Sequence, residues 1–187
     1  MQDPIETEKR VRFRRHSDRR VALLLALHEI LFDVSPGPAR DARLLEAIVR
    51  DFETDRAVLL GPLVAGGQGL AVRASAGVPS GEEPVPKGEG VRLVTDLHLG
   101  APGAVTLNRG KRPALFPPEA WDALWSRELG CESQALMGVV VKGERAPATL
   151  LLVLQVTCSR EWGIRDRDLI EEIGVLLGRA ADRALAV

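Results

Sequence analysis

The stretch QALMGVVVK (134–142), followed by GERAP (143–147) and ATLLLVLQVT (148–157), is the clearest structural signal in this sequence. Both apolar runs have the length of β-strands and are rich in the aliphatic residues that strands favour. The five-residue connection contains Gly and Pro, which is typical of a hairpin. The second run is apolar on both faces over 150–154, so it predicts a central strand that is covered on both sides.

A second pair of short runs lies upstream and also predicts an antiparallel hairpin. RAVLLGPLV (56–64) is apolar, and LAVRASAGV (70–78) alternates small or apolar residues with residues such as Arg73 and Ser75. The glycine-rich segment 66–69 lies between the two predicted strands and opens no helix. It therefore indicates a hairpin turn rather than a phosphate-binding loop.

Amphipathic helices are predicted at both ends of the sequence. Apolar residues recur at helical spacing in 18–32, in 39–52 and from Asp166 to the end. Ser17 suits the N-cap of the first helix, and the segment 35–38, with its two prolines, predicts where that helix ends. The last helix carries acidic residues early and arginines late, which the helix dipole favours.

The region between the hairpins, 79–118, is interrupted repeatedly by Pro and Gly and predicts mostly irregular structure. Long irregular segments of this kind are often functional. Short extended pieces are expected within it at 91–95, 104–107 and 114–116.

A helix is expected after this region. Pro117 and Pro118 can open it, because proline is tolerated in the first turn, and Gly130 can end it. Trp121 and Trp125 lie at i and i+4 and therefore share one face of this helix.

The order helix, helix, hairpin, crossover with a helix, hairpin, helix predicts an α+β fold. We expect a central antiparallel sheet of about six strands. The N- and C-terminal helices should pack on one face of the sheet, and the loop-rich crossover with its helix on the other. Residues 18–187 would form this domain, preceded by a basic N-terminal extension at 1–17.

Composition argues against several functional classes. The formal net charge is −1 and aromatic residues make up 4%, so no nucleic-acid-binding or membrane surface is indicated. The basic run from Lys9 to Arg20 is diluted by Glu6, Glu8 and Asp18, which favours a solvated extension or helical linker. No apolar run reaches the roughly 18 residues of a membrane span, and the first residues lack a signal-peptide pattern. A cytoplasmic protein is therefore expected.

Three local patterns, taken with the order of elements, resemble the GAF domain family over roughly residues 18–187. These are the entry DRAVLL (55–60) into the first strand, the turn LGCESQAL (129–136) with its Gly and Ser, and the closing helix at 164–177. The resemblance implies a sensory and regulatory domain of a signal-transduction protein that binds a small molecule between sheet and crossover. It also implies pairing through the terminal helices, so we expect a homodimer and a separate output protein as a partner.

The ligand motifs of better-known GAF members are absent from the sequence. It has no NKFDE-type motif of the cyclic-nucleotide-binding members. The bilin-binding members carry a Cys followed by His, whereas Cys131 precedes Glu132 and Cys158 precedes Ser159. The free methionine sulfoxide reductases of this fold use cysteines in the crossover, and 79–130 contains none. The ligand and any cofactor are therefore unidentified.

The candidates for a ligand pocket are the two tryptophans and polar residues of the crossover. Trp121 and Trp125 could wall a cavity beneath the crossover, or they could simply cap the core. Asp96 and His98 are two residues apart, so on a strand they would face the same way and could share a polar ligand. A metal ion at Asp96 and His98 would lack a third ligand, so no metal site is predicted. The other candidates for polar contacts are Arg109, Lys111, Arg112 and Ser133.

The sequence thus predicts a sensor in which a ligand stabilises one packing of the crossover and thereby biases the terminal helices. No catalytic residue is predicted, since the nucleophile-elbow, HExxH and phosphate-loop motifs are missing. Two alternatives stay open. One is a thiol-dependent reductase that uses Cys131 or Cys158, although buried cysteines of this kind usually act as small apolar residues. The other is a ligand-free dimerisation module.

Overall fold

A computed structural model describes residues 4–33, 35–63, 70–77, 88–129 and 132–186, with side chains from Asp18 onward. The predicted terminal helices, both hairpins and the tryptophan helix are present in the predicted order, and the crossover contains one additional helix. In chain order they are α1 (Pro4–Asp33), α2 (Pro38–Asp51), β1 (Arg56–Gly61), β2 (Ala71–Gly77), α3 (Glu89–Gly100), β3 (Val105–Asn108), α4 (Pro118–Ala123), β4 (Ala135–Val141), β5 (Thr149–Gln155) and α5 (Ile164–Ala184).

The described strands form one sheet in the order β2-β1-β5-β4-β3, with every neighbouring pair antiparallel. Both predicted hairpins are confirmed, because β1 pairs with β2 and β4 pairs with β5. β5 is central and buried along its whole length, as its apolar sequence predicts. Within the described residues the sheet has 5 strands, close to the approximate prediction.

The sheet separates two hydrophobic cores. One includes Leu27 and Ile173 and lies between the sheet and the helices α1, α2 and α5. The other includes Val94 and Trp125 and lies between the sheet and the crossover with α3 and α4. This division confirms the predicted layering of an α+β fold, with the terminal helices on one face and the crossover on the other.

The additional helix, α3, corrects one expectation. The extended piece predicted at 91–95 is wrong, because these residues lie inside α3. Val91, Val94, Thr95 and His98 are all buried, and they fall at i, i+3, i+4 and i+7 on one face of the helix. The helical period of these buried positions outweighs the β-propensity of the valines.

The other crossover predictions have mixed outcomes. The extended piece at 104–107 is confirmed as β3. The piece at 114–116 is wrong, because it forms a turn in which the backbone N–H of Phe116 donates to the carbonyl of Pro113 at 3.0 Å. The tryptophan helix is confirmed as α4, and it continues as a π-helical turn over Leu124–Glu128.

Helix α1 begins at Pro4 rather than at the predicted N-cap, Ser17. Residues 4–17 are rich in Glu, Lys and Arg, which are good helix formers, and Pro suits the first helical position. The division of the chain at residue 17 therefore falls inside a helix, and it stays a prediction.

The predicted turn at 66–69 and Gly130 lie outside the described residues. Among the described helices, none combines the length and the apolar character needed to cross a bilayer.

Candidate functional site

Two packed indoles occupy the face of the sheet that the crossover covers. Trp121 is 4% exposed and Trp125 is fully buried. Their ring centroids are 5.1 Å apart with planes at 76°, and Phe116 packs against Trp121 at 5.0 Å. Edge-to-face pairs of this kind are favourable aromatic contacts. The indoles are therefore part of the second core, and their role as ligand contacts stays a prediction.

Trp121 also fixes the loop that follows β3. Its Nε1–H donates to the carbonyl of Arg109 at 3.0 Å, and the backbone N–H of Arg109 donates to the carbonyl of Gln134 at 2.9 Å. Ser133 is fully buried, and its backbone N–H donates to the carbonyl of Trp125 at 3.1 Å. The structure thus brings both tryptophans, Ser133 and the backbone of Arg109 together through hydrogen bonds to backbone carbonyls around α4 and the π-helical turn.

Helix α3 separates Asp96 from His98. Two consecutive steps along a helix rotate a side chain by about 200°. The Asp96 side chain is 42% exposed, with its Oδ2 3.5 Å from Nη1 of Arg92, whereas His98 is buried. The expectation that Asp96 and His98 face the same way is therefore wrong.

His98 is a buried imidazole between α3 and β4. Its Nδ1 lies 2.7 Å from the carbonyl of Val94, and its ring lies against Gly138, where a Cβ would overlap Nε2. Nε2 has no partner within hydrogen-bonding geometry in the described part of the chain. Burial lowers the pKa of His98, and the nearby backbone of Val94 and Gly138 opposes this only in part. The His98 ring therefore fills the space between α3 and β4.

Glu128 is a residue of this region that sequence reasoning missed. It lies in the π-helical turn, and its Oε2 accepts the backbone N–H of Val91 at 2.8 Å. Gly88 and Gly90 are so close that a Cβ at either would overlap this carboxyl group. The free N–H groups and the dipole of a helix N-terminus stabilise a carboxylate. The chain thus supplies its own hydrogen-bond acceptor at the start of α3, and the glycines at 88 and 90 are the sequence signal for it.

The remaining basic candidates make surface contacts. Nζ of Lys111 lies 3.5 Å from Oε1 of Glu161, and both side chains are exposed. Nη1 of Arg112 donates to the carbonyl of Phe116, which stabilises the turn before α4. In this structure both side chains contact other residues of the protein.

Among the described residues, the thiol and metal-ligating side chains form no assembled centre. Cys158 is a free, exposed thiol beyond the end of β5. Cys131 lies outside the described residues. In the ranges that the structure describes, no three His, Cys, Asp or Glu side chains are grouped as a metal site requires.

A groove between α1 and α5 is a second candidate surface. Val21, Leu25 and Val175 line it and are 57%, 61% and 54% exposed. The groove has a volume of about 920 Å³. Arg20 connects the two helices, with its Nε donating to Oε2 of Glu172 at 3.1 Å. An exposed apolar strip beside charged residues is typical of a protein–protein contact surface.

No family model and no curated protein matches the sequence, but solved structures resemble the fold. The chain is similar to the GAF domain of a protein described as a sensor histidine kinase from Pseudomonas syringae pv. tomato, with 15% identity, 94% of this chain and 95% of that chain covered, and a TM-score of 0.62. It is similar to the GAF domain of a phosphoenolpyruvate-protein phosphotransferase from Acinetobacter, with 17% identity, 88% and 93% covered, and a TM-score of 0.58. A protein described as a GAF sensor from Burkholderia vietnamiensis is 11% identical, with 92% and 99% covered and a TM-score of 0.62. The chain therefore has the fold of a GAF domain.

Proposed function

We propose that this chain is a sensory and regulatory GAF domain that binds a small molecule and transmits the bound state through α1 and α5 of a homodimer. The observation that carries this proposal is the apolar strip of Val21, Leu25 and Val175, which lies exposed on the two terminal helices. The descriptions of two similar structures name a sensor histidine kinase and a GAF sensor, which supports a signalling role.

The strip has the properties expected of a contact between two copies. Each of its three side chains leaves more than half of its surface in water, although burying apolar surface is favourable. A second copy that presents the same strip would cover both strips at once in a two-fold contact. Arg20 and Glu172 would lie at the rim of that contact, where charged pairs influence orientation more than affinity.

Two buried polar atoms support a ligand beneath the crossover. Trp125 Nε1 and His98 Nε2 have no hydrogen-bond partner among the described residues. Buried polar groups are normally paired, so a small molecule that reaches either atom would supply the missing partner. Arg109 and Ser133, which hydrogen-bond to the two tryptophans, are proposed as further contacts together with Trp121 itself.

The ligand would act by shifting a population of conformations. Helix α3 contacts β4, and β4 contacts α5, where Gly174 packs closely against Val139. A ligand that changes the position of α3 or α4 would therefore also affect β4, which contacts the terminal helix α5. The shift can be only as large as the difference in the ligand's affinity for the two packings.

The packing of Trp121 against Trp125 also favours a second candidate function, a dimerisation module without a ligand. The indoles already make an edge-to-face contact, so a ligand could enter between them only if they separate. In this candidate the helices pair in the same way, but pairing responds to no small molecule.

Native mass spectrometry of the freshly purified full chain tests both parts of the proposal. We expect a species with the mass of two chains plus that of a retained small molecule. A dimer without added mass, in the presence and absence of candidate metabolites, would favour the dimerisation module. A monomer at every protein concentration would contradict transmission through a homodimer.

A further inference from the structure

Arg40, at the start of α2, is a buried cation with few partners. The residue is 6% exposed, and its Nε has no hydrogen-bond partner in the part of the chain that the structure describes. Nη1 lies 3.5 Å from the carbonyl of Leu31, at the outer limit of a hydrogen bond, and Nη2 lies 3.7 Å from Oδ1 of Asp41. A guanidinium has five N–H donors in a planar fork, and burying it largely unpaired is unfavourable. The described residues therefore leave Nε without an acceptor and give Nη1 and Nη2 only long contacts.

Arg40 borders a partly open cavity of about 360 Å³ on the face of the sheet that carries the terminal helices. The cavity lies between the α1–α2 connection, the loop between β4 and β5, and the end of α5. This volume is more than twice the roughly 150 Å³ that accommodates benzene in an engineered apolar cavity, and it falls in the range of ligand pockets. Most of its wall is apolar and includes Leu31, Leu59, Val141, Pro147, Leu177 and Ala181.

The charges at the cavity leave one positive charge uncompensated. Besides Arg40 the lining contains Arg73 of β2 and Asp41 of α2. Nη2 of Arg73 lies 3.0 Å from Oδ2 of Asp41, so the carboxylate of Asp41 is paired with Arg73. The two arginines and the one aspartate together carry a net charge of +1. Such a set suits a monoanion, whereas a dianion such as phosphate would meet the carboxylate of Asp41 without enough positive charge.

We propose that this cavity binds a small amphipathic carboxylate. Its carboxylate would accept two hydrogen bonds from Arg40, in the bidentate geometry that a guanidinium favours. Its apolar body would cover Leu31, Leu59 and Leu177. The site lies on the opposite face of the sheet from the crossover, so binding here does not depend on a ligand beneath the indoles. Since Leu31 belongs to α1 and Leu177 to α5, the bound molecule would contact both terminal helices.

Isothermal titration calorimetry of the full chain with octanoate tests this assignment. Octan-1-ol is the neutral control for the carboxylate, and inorganic phosphate is the control for a bare anion. Arg40→Met removes the charge and keeps an unbranched apolar side chain. Arg50→Met is the matched control, because Arg50 lies on the same helix with its side chain 69% exposed and paired only with its neighbour Asp51 in the described structure.

We expect octanoate to bind one site per chain, with its Kd raised at least tenfold in Arg40→Met and unchanged in Arg50→Met. Octan-1-ol and phosphate should each bind at least tenfold more weakly than octanoate. Ala181→Phe keeps Arg40 but fills the apolar part of the cavity, so it should also abolish octanoate binding. It is the second test of the site if Arg40→Met does not fold. Absence of octanoate binding to the wild type, equal binding by a folded Arg40→Met, or retained binding by Ala181→Phe would overturn the proposal. Phosphate or octan-1-ol binding as tight as octanoate would overturn the amphipathic carboxylate as its ligand.

Discussion

Glu128 accepts the backbone N–H of Val91 at 2.8 Å, so a side chain of the π-helical turn caps the first turn of α3. Both residues are buried. Glu128→Ala would leave this N–H without its acceptor, and we expect a loss of about 1–3 kcal/mol in the free energy of unfolding. Glu128→Gln should lose less, because its amide oxygen can still accept. Urea denaturation measures both.

Glu161→Ala is the control for this prediction. The side chain of Glu161 is 88% exposed and forms a surface pair with Lys111, which contributes little to stability. If Glu128→Ala unfolds at the same urea concentration as Glu161→Ala, the cap does not stabilise α3.

Gly138 of β4 leaves the space that the His98 ring occupies. A Cβ at this position would overlap Nε2 of His98 and lie 2.5 Å from Cδ2 of Leu152. We expect Gly138→Ala to lower the free energy of unfolding by about 1–3 kcal/mol, as overpacked core positions do. Gly100→Ala is the matched control, because a Cβ at Gly100 would meet open space. Thermal unfolding with similar midpoints for both variants would contradict this close fit between α3 and β4.

The buried His98 predicts a loss of stability at mildly acidic pH. Burial lowers its pKa below the usual 6.5, so below that pH the unfolded chain binds a proton that the folded chain does not. The contribution of the neutral imidazole to the free energy of unfolding is therefore fully present above pH 6.5, and it is lost as the pH falls towards the pKa of the folded state. We expect the unfolding free energy of the wild type, minus that of His98→Leu, to decrease from pH 7 to pH 5. A difference that is constant over this range would show that His98 is not buried as a neutral group.

Asp182 of α5 holds the loop between β4 and β5. Its carboxylate accepts the backbone N–H groups of Arg145 and Ala146, each at 2.8 Å, and of Glu144. These hydrogen bonds lower the pKa of Asp182 below its usual 3.8. Asp182→Asn should therefore speed amide hydrogen exchange at 144–146 near neutral pH, with Asp168→Asn on the same helix as control.

The pH dependence of this effect follows from the direction of the shift. The ionised carboxylate stabilises the loop above pH 3.8, and this stabilisation is lost as the pH falls through the lower pKa of the folded state. The difference in exchange between wild type and Asp182→Asn should shrink over that range. Equal exchange rates at neutral pH would show that Asp182 does not hold the loop.

The layering of the fold was predictable because its strongest signals are local. The run 150–154 is apolar on both faces, and it forms the central strand β5. The spacing of apolar residues in 39–52 and in the C-terminal segment likewise gave α2 and α5. Helix α3 was missed because its valines favour strands, and because a segment bordered by glycines offered no helix-capping side chain.

The candidate sites depend on contacts between distant parts of the chain, which the sequence does not display. His98 fits only because residue 138, on another element, is a glycine. Arg40 resembles an ordinary surface arginine in a helical pattern, and only the folded structure shows that it is buried beside a cavity that Leu31, Leu59 and Leu177 also line. The proximity of Trp121 to Trp125 was predictable, since helical spacing alone places them together.

Sedimentation velocity of the wild type, Leu25→Glu and Leu115→Glu tests most directly whether the apolar strip forms the contact of a homodimer. Leu25 lies in the strip on α1 and is 61% exposed; Leu115 is 47% exposed in the crossover loop, away from the strip. A glutamate at position 25 would place a charge inside the proposed two-fold contact, at an unfavourable desolvation cost. We predict that the wild type and Leu115→Glu sediment as dimers and that Leu25→Glu sediments as a folded monomer with an unchanged circular dichroism spectrum. A dimeric Leu25→Glu, or a monomeric wild type, would contradict signalling through paired terminal helices.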